Sequence, residues 1–438
     1  MNPYARRFSE DPREQSLTTQ SYYLATAPAA GPWPRLEGAV EADVCVIGAG
    51  FAGLSAAIEL AQRGYRVVVL EAEQVGWGAS GRNGGQAIVG HASDAPIENQ
   101  LGDDAARTAW GVTVEGLHLI RERIAQFNID CDFVPGYKYL AVNERKARAL
   151  HAWYEHITGF YQHPHWQWVG RKEVGEHIAS PRFHSGLHDT LSGHLHPLKY
   201  CRGLARAAQS LGVRIFEDSR VTAISKGEPA RVKTALGEVS ARFVVLAGNS
   251  YLGALVPELQ PRIMPVGTYV VASEPLAPAL ADSLIRERAA VCDSNFVLDY
   301  FRVSPDHRVI FGGRVSYSGM TPPNLVAGMK RRMLATFPQL GEGVKVDYSW
   351  GGFVDISMNR APDFGRLAPN VYYLQGFSGH GLSLTGMAGR LVAEAIAGQA
   401  ERFDLYARLK HHAFPGGAML RTPALVLGMA WYRLRDLL

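Results

Sequence analysis

Three glycines and one carboxylate carry the first chemical signal in this chain: Gly48, Gly50 and Gly53, then Glu71, within "ADVCVIGAGFAGLSAAIELAQRGYRVVVLEAE". Glycines at this spacing let a backbone without Cβ atoms approach a pyrophosphate and let a helix pack close on a strand. Phe51 and Ala52 open that helix, whose unbonded N–H groups and positive dipole end favour an anion without a lysine. A carboxylate about 20 residues on, Glu71 with Ala72 behind it, accepts hydrogen bonds from ribose hydroxyls and repels a 2′-phosphate. The chemistry implied is the holding of an adenine dinucleotide without that phosphate, FAD or NAD.

A second stretch, "GWGASGRNGGQ" at 76–86, has a small residue at nearly every position. Gly78, Ala79, Ser80, Gly81, Gly84 and Gly85 surround the long polar Arg82 and Asn83, and Gln86 closes the run. Backbone N–H groups and small hydroxyls here suit a loop folded over a pyrophosphate and a flavin ring, which favours FAD over NAD; a flexible surface loop is the alternative.

Elements to position these residues are readable in the pattern. The apolar run Val44 to Ile47 and the helical spacing after Gly53 predict strand, tight turn and helix, with a second strand from Arg66 to Leu70. Helices are predicted around 104–127 and 144–159, and "CDFVPGYKYLAV" predicts strands around a Pro-Gly turn. A helix from Tyr200 to Leu211 leads to strands at 214–217, 220–224 and 243–246. From Met264 to Trp350 the chain turns β-rich through "VGTYVVAS", "NFVLDYFRV", "RVIFGG" and "VKVDYSW". A last strand, "VYYLQG", precedes a glycine-rich start and a long apolar helix. The fold class expected is α/β: a Rossmann-like dinucleotide domain of the glutathione-reductase type, joined to an antiparallel-sheet substrate domain. The expected boundaries are 42–130, 190–258 and 353–400 for the first, and 131–189 and 259–352 for the second. Residues 1–41 read as a loose extension, folding near Ala42, and 401–438 as a helical tail.

The 438 residues exceed one small core, and 47% hydrophobic with 20% charged residues is ordinary for a globular protein. A net charge of +4 with no basic, aromatic-interleaved tract argues against nucleic acid as a partner. Residues 1–20 lack the apolar core of a signal peptide and no run reaches the ~20 residues of a membrane span, so the expectation is cytoplasmic. Cys45, Cys131, Cys201 and Cys292 are scattered and read as free, mostly buried thiols. His163/His165 and His194/His196 lack accompanying ligands at metal spacing, so no metal is expected. The segment "ALVLGMAWYRLRDLL" reads either as a helix docked on its own domain or as an amphipathic membrane contact.

With "SYYLATA", "GWGASGRNGGQ", "SGHLHPLKY", "VLAGNSYL", "FVLDYFRVSPDHRVIFGG", "GFSGHG" and "WYRLRDLL" in view, the chain resembles the D-amino acid oxidase superfamily of flavoproteins. Within it, the strings are similar to the subgroup of bacterial gamma-glutamylputrescine and L-pipecolate oxidases. The resemblance implies FAD, held non-covalently, and oxidation of a C–N bond with hydride transfer to flavin N5. By position it implies that Gly48, Gly50, Gly53 and Glu71 hold the ADP half, and that Ser80, Gly81, Arg82, Gly84, Gly85 and Gln86 line the flavin and pyrophosphate. It further implies that the Val221 backbone meets the adenine side and that Ala247 and Gly248 close around the pyrophosphate. Gly379, His380, Gly381 and the adjoining Leu382 would face the pyrimidine edge, where helix N–H groups stabilise charge on a reduced flavin. His380 is alternatively a structural histidine at that helix start.

The sequence departs from other branches. The stretches "WGGFVD" and "GFSGHG" hold no arginine for an α-carboxylate, leaving Arg302, Arg314 and Arg360 as substitutes, and "HGLSLTG" and "RAPDFG" hold neither the lysine nor the flavin-linking cysteine of sarcosine oxidase-like members. Amine oxidation needs a neutral nitrogen, an oriented α C–H and a dry pocket. Aromatic residues suit that cage, and Tyr269, Tyr300, Trp350 and Phe353 are the candidates, led by Tyr300 and Trp350. Asp299, Asp355 and Asp363 are candidates for an ammonium. The substrate expected is gamma-glutamylputrescine or a similar primary amine, oxidised to aldehyde, ammonia and hydrogen peroxide with oxygen as acceptor. L-pipecolate or another cyclic amino acid is the alternative, and a flavin-binding or tRNA-modifying protein is the alternative of another class.

Overall fold

The computed structural model describes residues 17, 20–316 and 321–415, and the segment "ALVLGMAWYRLRDLL" lies outside them. The first strand, Gly38–Ile47, pairs in parallel with Val67–Leu70 on one side and Gly237–Leu246 on the other. Arg214–Phe216 extends the sheet beyond the former and Val371–Gln375 beyond the latter, all parallel. Asp363–Ala368 adds an antiparallel edge. The strand Val67–Leu70 is buried at every position, as expected of a parallel strand covered on both faces.

Two helices cover one face of this sheet and touch closely. Gly389 on Gly381–Ile396 meets Phe51–Gln62 where a Cβ would lie 2.4 Å from the Ala56 nitrogen. The Ser55 hydroxyl donates to the Gly386 carbonyl at 2.6 Å across the same contact. Glu59 binds Arg123 and Arg390 at 3.0 Å each, so one buried carboxylate joins three helices.

The second sheet is nine-stranded and runs Val346–Ser357, Ile263–Ser273, Val309–Ser316, Tyr300–Val303, Ala290–Asp293, Val134–Ala141, Ser185–His194 and Gln86–Ala87, with Trp166–Val169 on Ser185–His194. Its pairings are antiparallel except between Ala290–Asp293 and Val134–Ala141. The helix Glu144–Phe160 starts where the Asn143 side chain accepts the Lys146 N–H at 2.9 Å.

The structure departs from the expected boundaries at several points. Folding does not begin near Ala42: the helix Tyr22–Thr26, capped by Ser21, buries Tyr22 and Tyr23, and the first strand starts at Gly38. Aromatic packing explains this, since Tyr23 meets Trp350 edge-on at 5.0 Å between ring centroids. The boundaries at 190 and 353 fall inside strands of the second sheet, Ser185–His194 and Val346–Ser357, and Gln86–Ala87 already belongs to that sheet. The four cysteines are free and buried. No helix among the described residues is long and apolar enough to cross a membrane.

Candidate active site

The glycine turn builds one end of a large cavity. Gly48 has φ +108°, and a Cβ on it would lie 2.8 Å from the Ala247 carbonyl oxygen, so only glycine fits against the neighbouring strand end. A Cβ on Gly53 would lie 2.0 Å from the Gly48 oxygen, which explains how the helix seats on the turn. At the helix start the Ser80 hydroxyl accepts the Phe51 N–H at 2.9 Å, tying the 76–86 loop to the turn. The Glu71 carboxylate accepts the Ala49 N–H at 2.8 Å and the Glu73 N–H at 3.0 Å.

The loop 76–86 holds its own shape. Asn83 donates to the Ala79 and Ser80 carbonyls at 3.0 Å and accepts the Gly85 N–H at 2.8 Å. The buried Arg82 guanidinium lies 4.2 Å from the Trp77 ring centroid, and burial lowers its proton affinity. The Arg82 carbonyl accepts the Trp350 indole N–H at 3.0 Å.

From this turn a cavity of about 1440 Å³ extends between the two sheets. Its far walls carry Tyr137, Tyr139, Trp153, Trp166, Phe296 and Tyr300. Tyr137 and Tyr139 share one face of their strand, while Lys138 points to the other. Loop 294–299 forms one wall and is held from behind: Asp293 accepts the Asn295 N–H at 3.0 Å and the Asp299 N–H at 3.1 Å. Burial, then the nearby Asp299, raises Asp293 to about 6. From the cavity side Lys146 donates to the Asn295 side-chain oxygen at 2.7 Å.

Asp355 lies at the opposite wall and accepts the N–H groups of Gly376 and Phe377, the latter at 3.2 Å. Burial pushes its carboxyl up to about 7. The loop it holds leads to His380, the cap of Gly381–Ile396, and desolvation lowers that imidazole to about 4, so it is neutral at pH 7.

Comparison with known proteins identifies this arrangement. Residues 43–395 match the family model described as FAD dependent oxidoreductase, DAO. The chain belongs to the DAO family of FAD-dependent oxidoreductases. It is 44% identical to gamma-glutamylputrescine oxidoreductase of Escherichia coli, over 95% of this chain and 98% of that protein. A probable oxidoreductase OrdL of Haemophilus influenzae is 42% identical over 95% of this chain and 97% of its own length. Among solved structures, glycine oxidase from Geobacillus kaustophilus superposes with a TM-score of 0.72 at 21% identity, covering 85% of this chain and 99% of that one. That likeness establishes the shared fold.

The DAO-family cavity places the sequence candidates as follows. Gly48, Gly50, Phe51, Ala52, Glu71, Ala72, Gly78, Ala79, Ser80, Asn83, Gly84, Gln86, Val221, Ala247, Gly248, Gly379, His380, Gly381 and Leu382 line it. Gly53, Gly81, Arg82 and Gly85 stand behind the lining: a Cβ on Gly81 would lie 2.1 Å from the Gly76 oxygen, and one on Gly85 2.2 Å from the Leu195 oxygen.

Of the aromatic candidates Tyr300 lines the cavity, whereas Tyr269, Trp350 and Phe353 are corrected to core positions. Strand alternation is the reason for Tyr269: Val266 and Thr268 face the cavity and Tyr269 turns into the cluster with Val271 and Phe353. Trp350 packs with Tyr22, Tyr23 and Val270. Asp299 is bound by Arg182 at 2.7 Å and Arg332 at 2.6 Å, and Asp363 by Gln375 at 2.9 Å; only Asp355 of the three aspartates lines the cavity. Arg302 is buried and donates to the Gly84 carbonyl at 3.0 Å and the Tyr23 hydroxyl at 3.1 Å, and Arg314 is turned toward the Asn324 carbonyl at 3.4 Å. Arg360 alone of these three arginines lines the cavity. His194 meets the Arg288 carbonyl at 2.8 Å and His196 the Thr26 hydroxyl at 3.0 Å. Sequence reasoning missed Tyr137, Tyr139, Trp153 and Trp166; the alternation in "GYKYL" was the available signal for the first two.

The residues present fit FAD. Where Gly50 faces the cavity, a Cβ would stand 2.8 Å from the Ser80 hydroxyl and fill the cradle at the helix start. The cavity also exceeds the ~300–1,000 Å³ common for small ligands, leaving room for a dinucleotide and a substrate together.

Proposed function

We propose that this protein oxidises the C–N bond of gamma-glutamylputrescine or a similar primary amine, yielding aldehyde, ammonia and hydrogen peroxide from amine, water and oxygen. The observation that carries this reading is the 44% identity, spanning 95% of this chain, to a protein bearing that substrate in its name. In this reading the first sheet with Phe51–Gln62 and Gly381–Ile396 forms the FAD-binding unit, and the second sheet forms the substrate unit.

FAD, when bound, supplies the acceptor for the two electrons that leave the substrate carbon. The chain's own part is to bind, orient and dry. Gly48, Gly50, Ala247 and Gly248 would cradle the pyrophosphate, Glu71 the ribose, and loop 76–86 with Gly379 to Leu382 the flavin. Tyr137, Tyr139, Trp153, Trp166, Phe296 and Tyr300 exclude water and offer ring faces to an incoming ammonium before it loses its proton. Asp355 orders the loop that leads to the N-terminus of Gly381–Ile396, whose positive dipole end favours negative charge beside it.

The test is anaerobic mixing of the yellow protein with gamma-glutamylputrescine, putrescine, L-pipecolate, L-proline and sarcosine, then admission of air. Rapid bleaching by gamma-glutamylputrescine with peroxide on reoxidation is the expected result. Bleaching by L-pipecolate alone transfers the reading to cyclic amino acids, and bleaching that air does not reverse replaces oxygen with another acceptor. Flavin released into the supernatant on denaturation is expected for non-covalent FAD.

A further inference from the structure

Arg360 occupies an unusual place for an arginine. It lines the cavity, and its guanidinium carbon lies 5.1 Å from the ring centroid of Phe296, another lining residue. A cation held over a ring face in this way keeps its N–H groups available to a planar, two-oxygen acceptor. Among the described residues no carboxylate forms an ion pair with it. Of the cavity's other arginines and lysines, Arg220 is paired with Glu73 at 2.5 Å, Lys146 is held by Asn295 at 2.7 Å, and Arg145 also has a partner of its own.

The backbone gives the second observation. Arg360 has φ +63°, in the left-handed region that residues with a Cβ seldom adopt. A built turn maintains it: the Arg360 N–H donates to the Ser357 carbonyl at 3.1 Å, and Asn359 accepts the Ala361 N–H at 3.1 Å. Asn359 also donates to the Lys410 carbonyl at 3.2 Å, anchoring the turn to a distant segment. A strained backbone that aims an unpaired guanidinium into a cavity is the geometry of a ligand contact rather than of a structural ion pair.

We propose that Arg360 reads a carboxylate on the substrate, so that this enzyme selects amines that carry one. The inference rests on the amine-oxidising reading above and deepens it. Gamma-glutamylputrescine bears such a carboxylate remote from its reacting amine, and putrescine lacks it. Binding energy from that remote group positions the reacting C–H.

The experiment compares kcat/KM for gamma-glutamylputrescine against putrescine, and for L-pipecolate against piperidine, in wild type and in Arg360→Gln, Arg360→Lys, Arg360→Gly and Arg145→Gln variants. The preference for the carboxylated member is expected to fall roughly 10- to 100-fold in Arg360→Gln, mainly through KM, with Arg360→Lys between. Arg360→Gly is expected to lose the same preference while melting no lower than wild type, because glycine relieves the strained φ. An unchanged preference in Arg360→Gln, or its loss in Arg145→Gln instead, overturns the proposal. So does an Arg360→Gly protein that melts well below wild type, which would make the Phe296 contact structural. If wild type oxidises none of these amines, the functional reading fails separately. Titration of the bound flavin's absorbance with glutarate then decides: a response lost in Arg360→Gln supports the carboxylate contact, and one that persists refutes it.

Discussion

Asp355 accepts the Phe377 N–H at 3.2 Å, which ties the end of a substrate-sheet strand to the loop leading into Gly381–Ile396. One buried carboxylate thereby links that strand to the loop at this wall of the cavity. Its carboxyl is raised from 3.8 to about 7, first by burial. Across that window the folded protein holds a proton that the unfolded chain has lost. This group's contribution to stability is therefore full below about 4 and is lost as pH rises through about 7. Asp355→Asn keeps an acceptor and cannot titrate, so its melting temperature minus that of wild type is expected to rise between about pH 4.5 and 8. A pH-independent difference in thermal melts would refute this. Asp355→Ala, which removes the acceptor, is expected to retain less FAD after gel filtration.

Tyr300 is clasped between two glycines. A Cβ on Gly84 would lie 2.5 Å from its ring and one on Gly312 2.0 Å. Gly312→Ala is expected to cost roughly 1–3 kcal/mol in urea unfolding, because the ring has no slack on either side. Gly84→Ala is expected to shift the flavin spectrum as well, since Gly84 lines the cavity.

The Tyr23 hydroxyl accepts from Arg302 at 3.1 Å, and Arg302 in turn holds the Gly84 carbonyl. Tyr23→Phe leaves a buried guanidinium one acceptor short and is expected to cost roughly 1–3 kcal/mol. Denaturant titration reads the loss, and a neutral result would show that the hydroxyl contributes nothing to holding the loop.

Gly53→Ala places a Cβ 2.0 Å from the Gly48 oxygen, too close for side-chain adjustment to relieve. The purified variant is expected to be nearly colourless, with a flavin-to-protein absorbance ratio at least about tenfold below wild type. Full flavin content would show that the turn can move aside.

What the sequence by itself determined is the local chemistry: the glycine turn with its helix and strand, the small-residue loop at 76–86, and the helices at Asp103–Gln126 and Glu144–Phe160. These follow from sterics and periodicity within a few residues of one another, so spacing alone exposes them. Which side chains face the cavity was decided by tertiary structure. Trp350 looked as well placed as Tyr300, with Tyr269 behind them, yet pairing and alternation in a nine-stranded sheet turned Trp350 and Tyr269 into the core. The same pairing brought Tyr137 and Tyr139 into the wall, while the turn after Val346–Ser357, anchored to the distant Lys410 carbonyl, set Arg360 at the cavity where Arg302 and Arg314 are not. A strand has two faces of equal local merit, and only its partners, distant in the chain, decide which one meets the substrate.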